Sequence, residues 1–196
     1  NAEEMMGTAF PDIYTMDQSW VYAGSAYHSN RPLLKQNLDA AKASLAKSGY
    51  KGEKLIFIVD NTRPNVDLAT VFQQQVSQIG VNVELKVSDW PTASGIGLKS
   101  DDGWHFWTHG FGIEPFEGPV SAMSHWTKGQ GQRKADPMID AWFDKINAEM
   151  NVDAQKKIFA DFEARMVDEA IALNLGHYGL FQIASAKLKN FKAYRI

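Results

Sequence analysis

The sequence predicts an α/β fold, a mainly parallel sheet flanked by helices. Three observations predict it. The run Leu55-Ile56-Phe57-Ile58-Val59 is continuously apolar, as in a strand covered on both faces. Val81, Val83, Leu85 and Val87 alternate with Asn82, Glu84, Lys86 and Ser88, as in a strand with one polar face. A helical pattern lies between the two, and a strand, crossover helix and strand in that order favour a parallel pair joined right-handedly.

The elements follow in order. Residues 1–36 show little periodicity, and Phe10, Tyr14, Trp20, Tyr22 and Tyr27 punctuate them, so they read as an irregular aromatic arm. Asn37 can cap a helix whose face is Leu38, Ala41 and Leu45, and Gly49 ends it. After the first strand, Asn61-Thr62-Arg63-Pro64-Asn65 reads as a loop carrying cap chemistry for the next helix. Leu68, Val71, Phe72, Val76 and Ile79 form that helix's apolar face, and Gly80 closes it. A third strand is expected from Trp104 to His109, leading into a Gly/Pro-rich loop from Gly110 to Pro119. Asp136 and Pro137 start one further helix and Asp153 starts another. Met138, Met150 and Met166 fall on their apolar faces and are expected in the core. A final extended stretch, Ala172 to Ile183, is expected to return to the sheet.

Composition excludes several function classes. The chain has 196 residues, 44% hydrophobic and 22% charged, enough to bury a full core. Net charge is −3 with scattered Lys and Arg, so no nucleic-acid partner is expected. The absence of cysteine removes disulfides, thiolate metal sites and thiol nucleophiles. No apolar run approaches the ~20 residues of a membrane span. No charged segment followed by an apolar one opens the chain, so either the protein is cytosolic or a signal peptide lies upstream.

Candidate chemistry is sparse. His105 and His109 sit four apart, but on a strand that separation spans about 13 Å, too far to share an ion. No metal site and no cofactor is expected. Glu114 and Glu117 flank Pro115-Phe116 without the marks of an acid/base pair, and no Gly-x-Ser-x-Gly elbow exists. No catalytic residue is assigned. Arg63 is the stronger candidate, because it follows a strand and precedes a helix, where open α/β sheets bind ligands. Its guanidinium can pair with a carboxylate, although a surface salt bridge is the plain alternative. Gly110 and Gly112 would let backbone approach a ligand, Phe111 offers an apolar wall, and Glu114 an acceptor for ammonium. Core packing is the plain alternative for Phe111 and for Trp90 at the end of the second strand.

Several of these stretches together resemble one family. AAKASLAKSGY is similar to the helix and Gly-Tyr that open the second lobe of peptide-type (family 5, peptide/nickel) extracytoplasmic solute-binding proteins of bacterial ABC transporters. VFQQQVSQIGVNVELKVSDW resembles that family's helix, Ile-Gly-Val turn, strand and terminal tryptophan. DPMIDAWFDKINAEMNVDAQKKIFADFEARMVDEA resembles its paired C-terminal helices, and ALNLGHYG the strand returning from them. The likeness covers about 37–190, in order and at matching spacing.

The resemblance implies a periplasmic-binding-protein type II-like lobe over 37–179, preceded by the arm at 1–36. A segment at 180–196 would return toward a first lobe. It implies a non-enzymatic, periplasmic binding role for di- or oligopeptides, with an ABC permease and the first lobe as partners, and so favours the upstream signal peptide. Arg63-Pro64 falls where dipeptide-binding members carry an arginine that holds the peptide carboxylate. Gly110-Phe111-Gly112-Ile113-Glu114 falls where they carry Gly-Trp followed by an aspartate that holds the α-amino group. Phe111 replaces that tryptophan, Glu114 is one methylene longer, and His105 stands where an aspartate is common. Receptors for opines, sugars or nickel chelates, a sensor domain, or a small α/β enzyme are the alternatives.

Overall fold

The computed structural model describes residues 1–98, 103–113, 117–128, 136–179 and 183–191. Helix α1 (Ala2–Ala9) is capped by the Asn1 side chain, which accepts from the Glu4 N–H. Strand β1 (Tyr14–Thr15) follows, then helix α2 (Leu38–Lys47). Strand β2 (Leu55–Asp60), helix α3 (Arg63–Ser77) and strand β3 (Val83–Ser88) form the expected crossover. Helix α4 (Trp90–Gly97), strand β4 (Phe106–Trp107), helix α5 (Pro119–Ser124), helix α6 (Pro137–Ala148), helix α7 (Val152–Asp168) and strand β5 (His177–Tyr178) complete the order.

The main sheet has the order β3-β2-β4, and both pairings are parallel. Central β2 explains its apolar run: Phe57, Ile58 and Val59 are buried between two neighbours and two faces. One face packs Phe57, Val59 and Val83 on α3, where Phe57, Phe72 and Phe106 meet with ring centroids 4.9–5.7 Å apart. Helix α4 packs against β2 and β3. A second core joins α6 and α7 around Phe159, Phe162, Ile139, Ile146 and Met166. Between these helices, the Arg165 Nε donates to the Asp136 cap at 2.7 Å.

Five expectations need correction. The arm at 1–36 is not uniformly irregular: α1 buries Met5, Met6, Ala9 and Phe10 against Leu68 and Val71 of α3. Arg63 is the first residue of α3 rather than part of a loop, because the Pro that follows it is tolerated in a helix's first turn. The returning stretch reaches the arm, not the main sheet. Antiparallel β5 pairs Tyr14 with Tyr178 and Thr15 with His177, and a Cβ at Gly176 would lie 2.8 Å from the Thr15 carbonyl. Of the three methionines, only Met166 is buried; Met138 is half exposed and Met150 lies in solvent. Helix α7 also begins earlier than expected, with Asn151 as its cap accepting from Asp153 and Ala154 N–H groups.

Candidate functional site

The carboxyl ends of β2, β3 and β4 open on one edge of the sheet, the edge where open α/β folds hold ligands. Each strand leaves a distinctive residue there. At the end of β2, Asp60 is buried and accepts from the Thr62 N–H at 2.9 Å, the Thr62 hydroxyl and the Asn65 amide. Burial pushes this carboxyl's pKa up, but those hydrogen bonds more than offset it and leave the pKa below the ordinary value. Asp60 is thereby committed to shaping the start of α3, which carries Arg63.

Arg63 itself projects into solvent, its side chain 90% exposed, and its Nε stands 3.5 Å from Asp67 one turn along. An exposed pair of that length is weak, so the guanidinium can exchange Asp67 for another carboxylate at little cost.

After β3, Asp89 caps α4 by accepting from the Thr92 N–H, and Trp90 occupies the first helical position, 45% exposed. It is therefore a helix residue and not the last of a strand. Trp107 of β4 lies flat on α4: a Cβ at Gly97 would come within 2.5 Å of its indole. From these two tryptophans a continuous row of rings runs along the edge. Trp90 and Trp107 have centroids 6.4 Å apart, His109 lies 4.8 Å from Trp107, Phe111 stacks 4.3 Å from His109, and His125 lies 4.5 Å beyond Phe111. Trp126 and Trp20 close on Phe111 at 5.7 and 6.4 Å.

At the far end of this row Phe111, Gly112, Glu117, His125, Trp126 and Trp20 line a recess of about 20 Å³, room for roughly one water-sized group. Burial among the rings pulls the pKa of both histidines down; Glu117 acts against this at His125. Both imidazoles are thus biased to the neutral form.

Trp20 reaches the recess from far away in sequence. Its N–H and the Ser19 hydroxyl both donate to Glu163 Oε1 of α7 at 2.8 Å, and Glu163 is fully buried. Burial raises the Glu163 pKa, against the hydrogen bonds from the Trp20 backbone and the Ser19 hydroxyl. The Asn174 amide donates to the Ser19 carbonyl at 2.7 Å, so the same turn is also tied to the segment entering β5.

Of the residues expected at the site, Phe111 and Gly112 line the recess, and Trp90 joins Phe111 through Trp107 and His109. Gly110 faces the Tyr178 hydroxyl, which a Cβ would meet at 2.9 Å. Arg63 stands at the β2 end of the same edge, outside the ring row. Glu114 lies outside the described residues. His105 and His109 are kept apart: the Ile56 N–H donates to His105 Nδ1 at 2.9 Å within the sheet, whereas His109 belongs to the rings. Trp20, Trp107, His125 and Trp126 carry no periodic signal that marks them in the sequence, because tertiary contacts alone assemble them.

A family profile described as "Bacterial extracellular solute-binding proteins, family 5 Middle" matches residues 1–134. Three solved structures with the same fold are similar to this chain. The ABC transporter substrate-binding protein CtaP of Listeria monocytogenes superposes with a TM-score of 0.78 at 19% identity, covering 91% of this chain and 38% of its own. A dipeptide-binding protein from Pseudoalteromonas, complexed with Met-Leu, gives 0.75 at 17% identity, with 91% and 37% covered. NikZ from Campylobacter jejuni, complexed with Ni(L-His), gives 0.73 at 16% identity, with 91% and 39% covered. The chain spans 37–39% of the length of these three structures.

Proposed function

The chain belongs to family 5 of the bacterial extracellular solute-binding proteins, and from that premise we propose that it is the ligand-contacting second lobe of an ABC importer's receptor. In this reading residues 37–179 form the lobe, and 180–196 lead toward the first lobe. The receptor works in the periplasm, performs no chemistry on its ligand, and delivers it to a membrane permease. The ligand is a di- or oligopeptide. The observation that carries the reading is the juxtaposition on one sheet edge of a solvent-facing Arg63 and a row of partly exposed rings. A guanidinium at a helix N-terminus suits a terminal carboxylate. Phe111, Gly112 and Trp90 wall the ligand, Glu114 accepts its ammonium group, and Gly110 holds the loop against Tyr178.

Hinge closure against a first lobe would complete the burial of the ligand. The chain alone supplies contacts from one side, so its affinity for peptides is expected to be weaker than low micromolar. A thermal-shift series tests the reading with di- and tripeptides, opines, sugars and a nickel–histidine chelate. Ligand at ten times its dissociation constant adds about 1.4 kcal/mol, which raises the midpoint by about 3–6 °C for a domain of this size. A rise with peptides alone supports the proposal. A rise with another class alone overturns the peptide assignment.

One observation favours a second reading. His109 and His125 both pack on Phe111, with ring centroids 4.3 and 4.5 Å from it, and imidazole is a common metal ligand. A midpoint rise with the nickel–histidine chelate that His109→Ala abolishes would establish that reading.

A further inference from the structure

The ring row has more chemistry than walling a peptide backbone requires. Trp90, Trp107 and His109 pack mutually with centroids 4.8–6.4 Å apart, and Phe111 stacks 4.3 Å beyond His109. None carries a permanent charge, and His109 alone among them is titratable. The row is also held in place at its Trp90 end. Asp89 caps the helix that begins with Trp90, and Gly97 leaves room for the Trp107 indole against the last turn of that helix. The Trp107 indole N–H and the Thr108 hydroxyl beside it are buried without a hydrogen-bond partner among the described residues. Trp90, by contrast, keeps nearly half its surface in solvent.

We propose that this row is a stacking platform for a flat aromatic group of the ligand, so that the receptor selects peptides bearing an aromatic side chain. The inference rests on the reading that peptides bind at this sheet edge. The chemistry of the row chooses among side chains. An anionic side chain would shed water onto rings whose faces are electronegative and offer no countercharge. An aliphatic one would gain only from area removed from water. A ring gains the same area and, in addition, offset-stacked and edge-to-face contacts with rings already arranged for them. The additional contacts correspond to about two- to tenfold in affinity.

The test is a ¹⁵N NMR titration of the chain's indole N–H signals with Ala-Ala, Ala-Leu, Ala-Glu, Ala-Phe and Ala-Trp, which share both termini. Fast-exchange shifts read affinities down to the millimolar range. The expected result is that Ala-Phe and Ala-Trp bind about two- to tenfold tighter than Ala-Leu and move the Trp90 and Trp107 signals. In Trp90→Ala, checked for native dispersion of its other signals, the ratio falls below about twofold. Trp90→Phe, which keeps a ring at the site, restores part of it. Equal binding of all five dipeptides would overturn the aromatic inference and leave the peptide reading standing. So would an aromatic preference that survives Trp90→Ala. If none of the five binds, the peptide reading fails and the inference falls with it.

Discussion

Replacing Asp60 with alanine is expected to destabilise the fold by about 2 kcal/mol. The carboxylate accepts three hydrogen bonds at the turn from β2 into α3: from the Thr62 N–H, the Thr62 hydroxyl and the Asn65 amide. Each such bond contributes about 1 kcal/mol net, a total near 3. Removing the carboxylate also relieves the cost of holding it buried, which returns about 1 kcal/mol. Asp60→Asn should cost about half as much, because its carbonyl can still receive both Thr62 donors while its amide confronts Asn65. Urea unfolding followed by tryptophan fluorescence reads the difference as a midpoint lowered by about 1 M for a slope near 2 kcal/mol/M. The pH dependence has a definite sign. The folded pKa lies below the ordinary value of 3.8, so this stability is fully present above that value and is lost as pH falls through the folded pKa. The gap between wild type and Asp60→Ala should therefore stay constant from pH 8 to 5 and narrow below about pH 4. A cost under about 0.5 kcal/mol, or a gap that widens on acidification, would refute this account of the turn.

Phe162→Ala, at a fully buried position between α6 and α7, should cost about 3–5 kcal/mol in the same assay. Gly176→Ala forces a Cβ against the Thr15 carbonyl at a φ of 145°; it should cost about 1–3 kcal/mol and speed amide exchange at Gly179. The lowered pKa values of His109 and His125 mean that the unfolded chain takes up their protons first as pH falls. Stability should thus decline below about pH 6.5, the ordinary histidine value. Replacing both histidines with phenylalanine should flatten that slope.

Much of the fold was legible because local signals and tertiary packing agree. Asn37, Asp136 and Gly80 mark helix ends with side chains or backbone that suit only those positions, and the apolar run of β2 declares a strand with two covered faces. The failures have physical causes. Helix α4, WPTASGIG, has small residues where a periodic apolar face would be sought, since Gly97 must leave room for Trp107. Helix α1 is short and interrupted by Gly7, so its packing on α3 decides its structure more than its own pattern does. Glu163 looks like a solvent-facing acid, yet it is buried as the acceptor for Ser19 and Trp20, more than 140 residues earlier in the chain. The site divides the same way. Arg63, Phe111, Gly112 and Trp90 are candidates in the sequence because they lie just beyond strand ends. Trp20, Trp107, His125 and Trp126 join them only through folding.

The central claim, that this sheet edge binds a peptide with Arg63 on its carboxylate, is tested most directly by a double-mutant cycle. Binding of a dipeptide and of its C-terminal amide would be measured by NMR titration for the wild-type chain and for Arg63→Ala. The substitution is expected to weaken the free acid by about tenfold, the scale of a hydrogen bond to a charged group, and to leave the amide unchanged. Equal losses for acid and amide, or no loss for either, would contradict it.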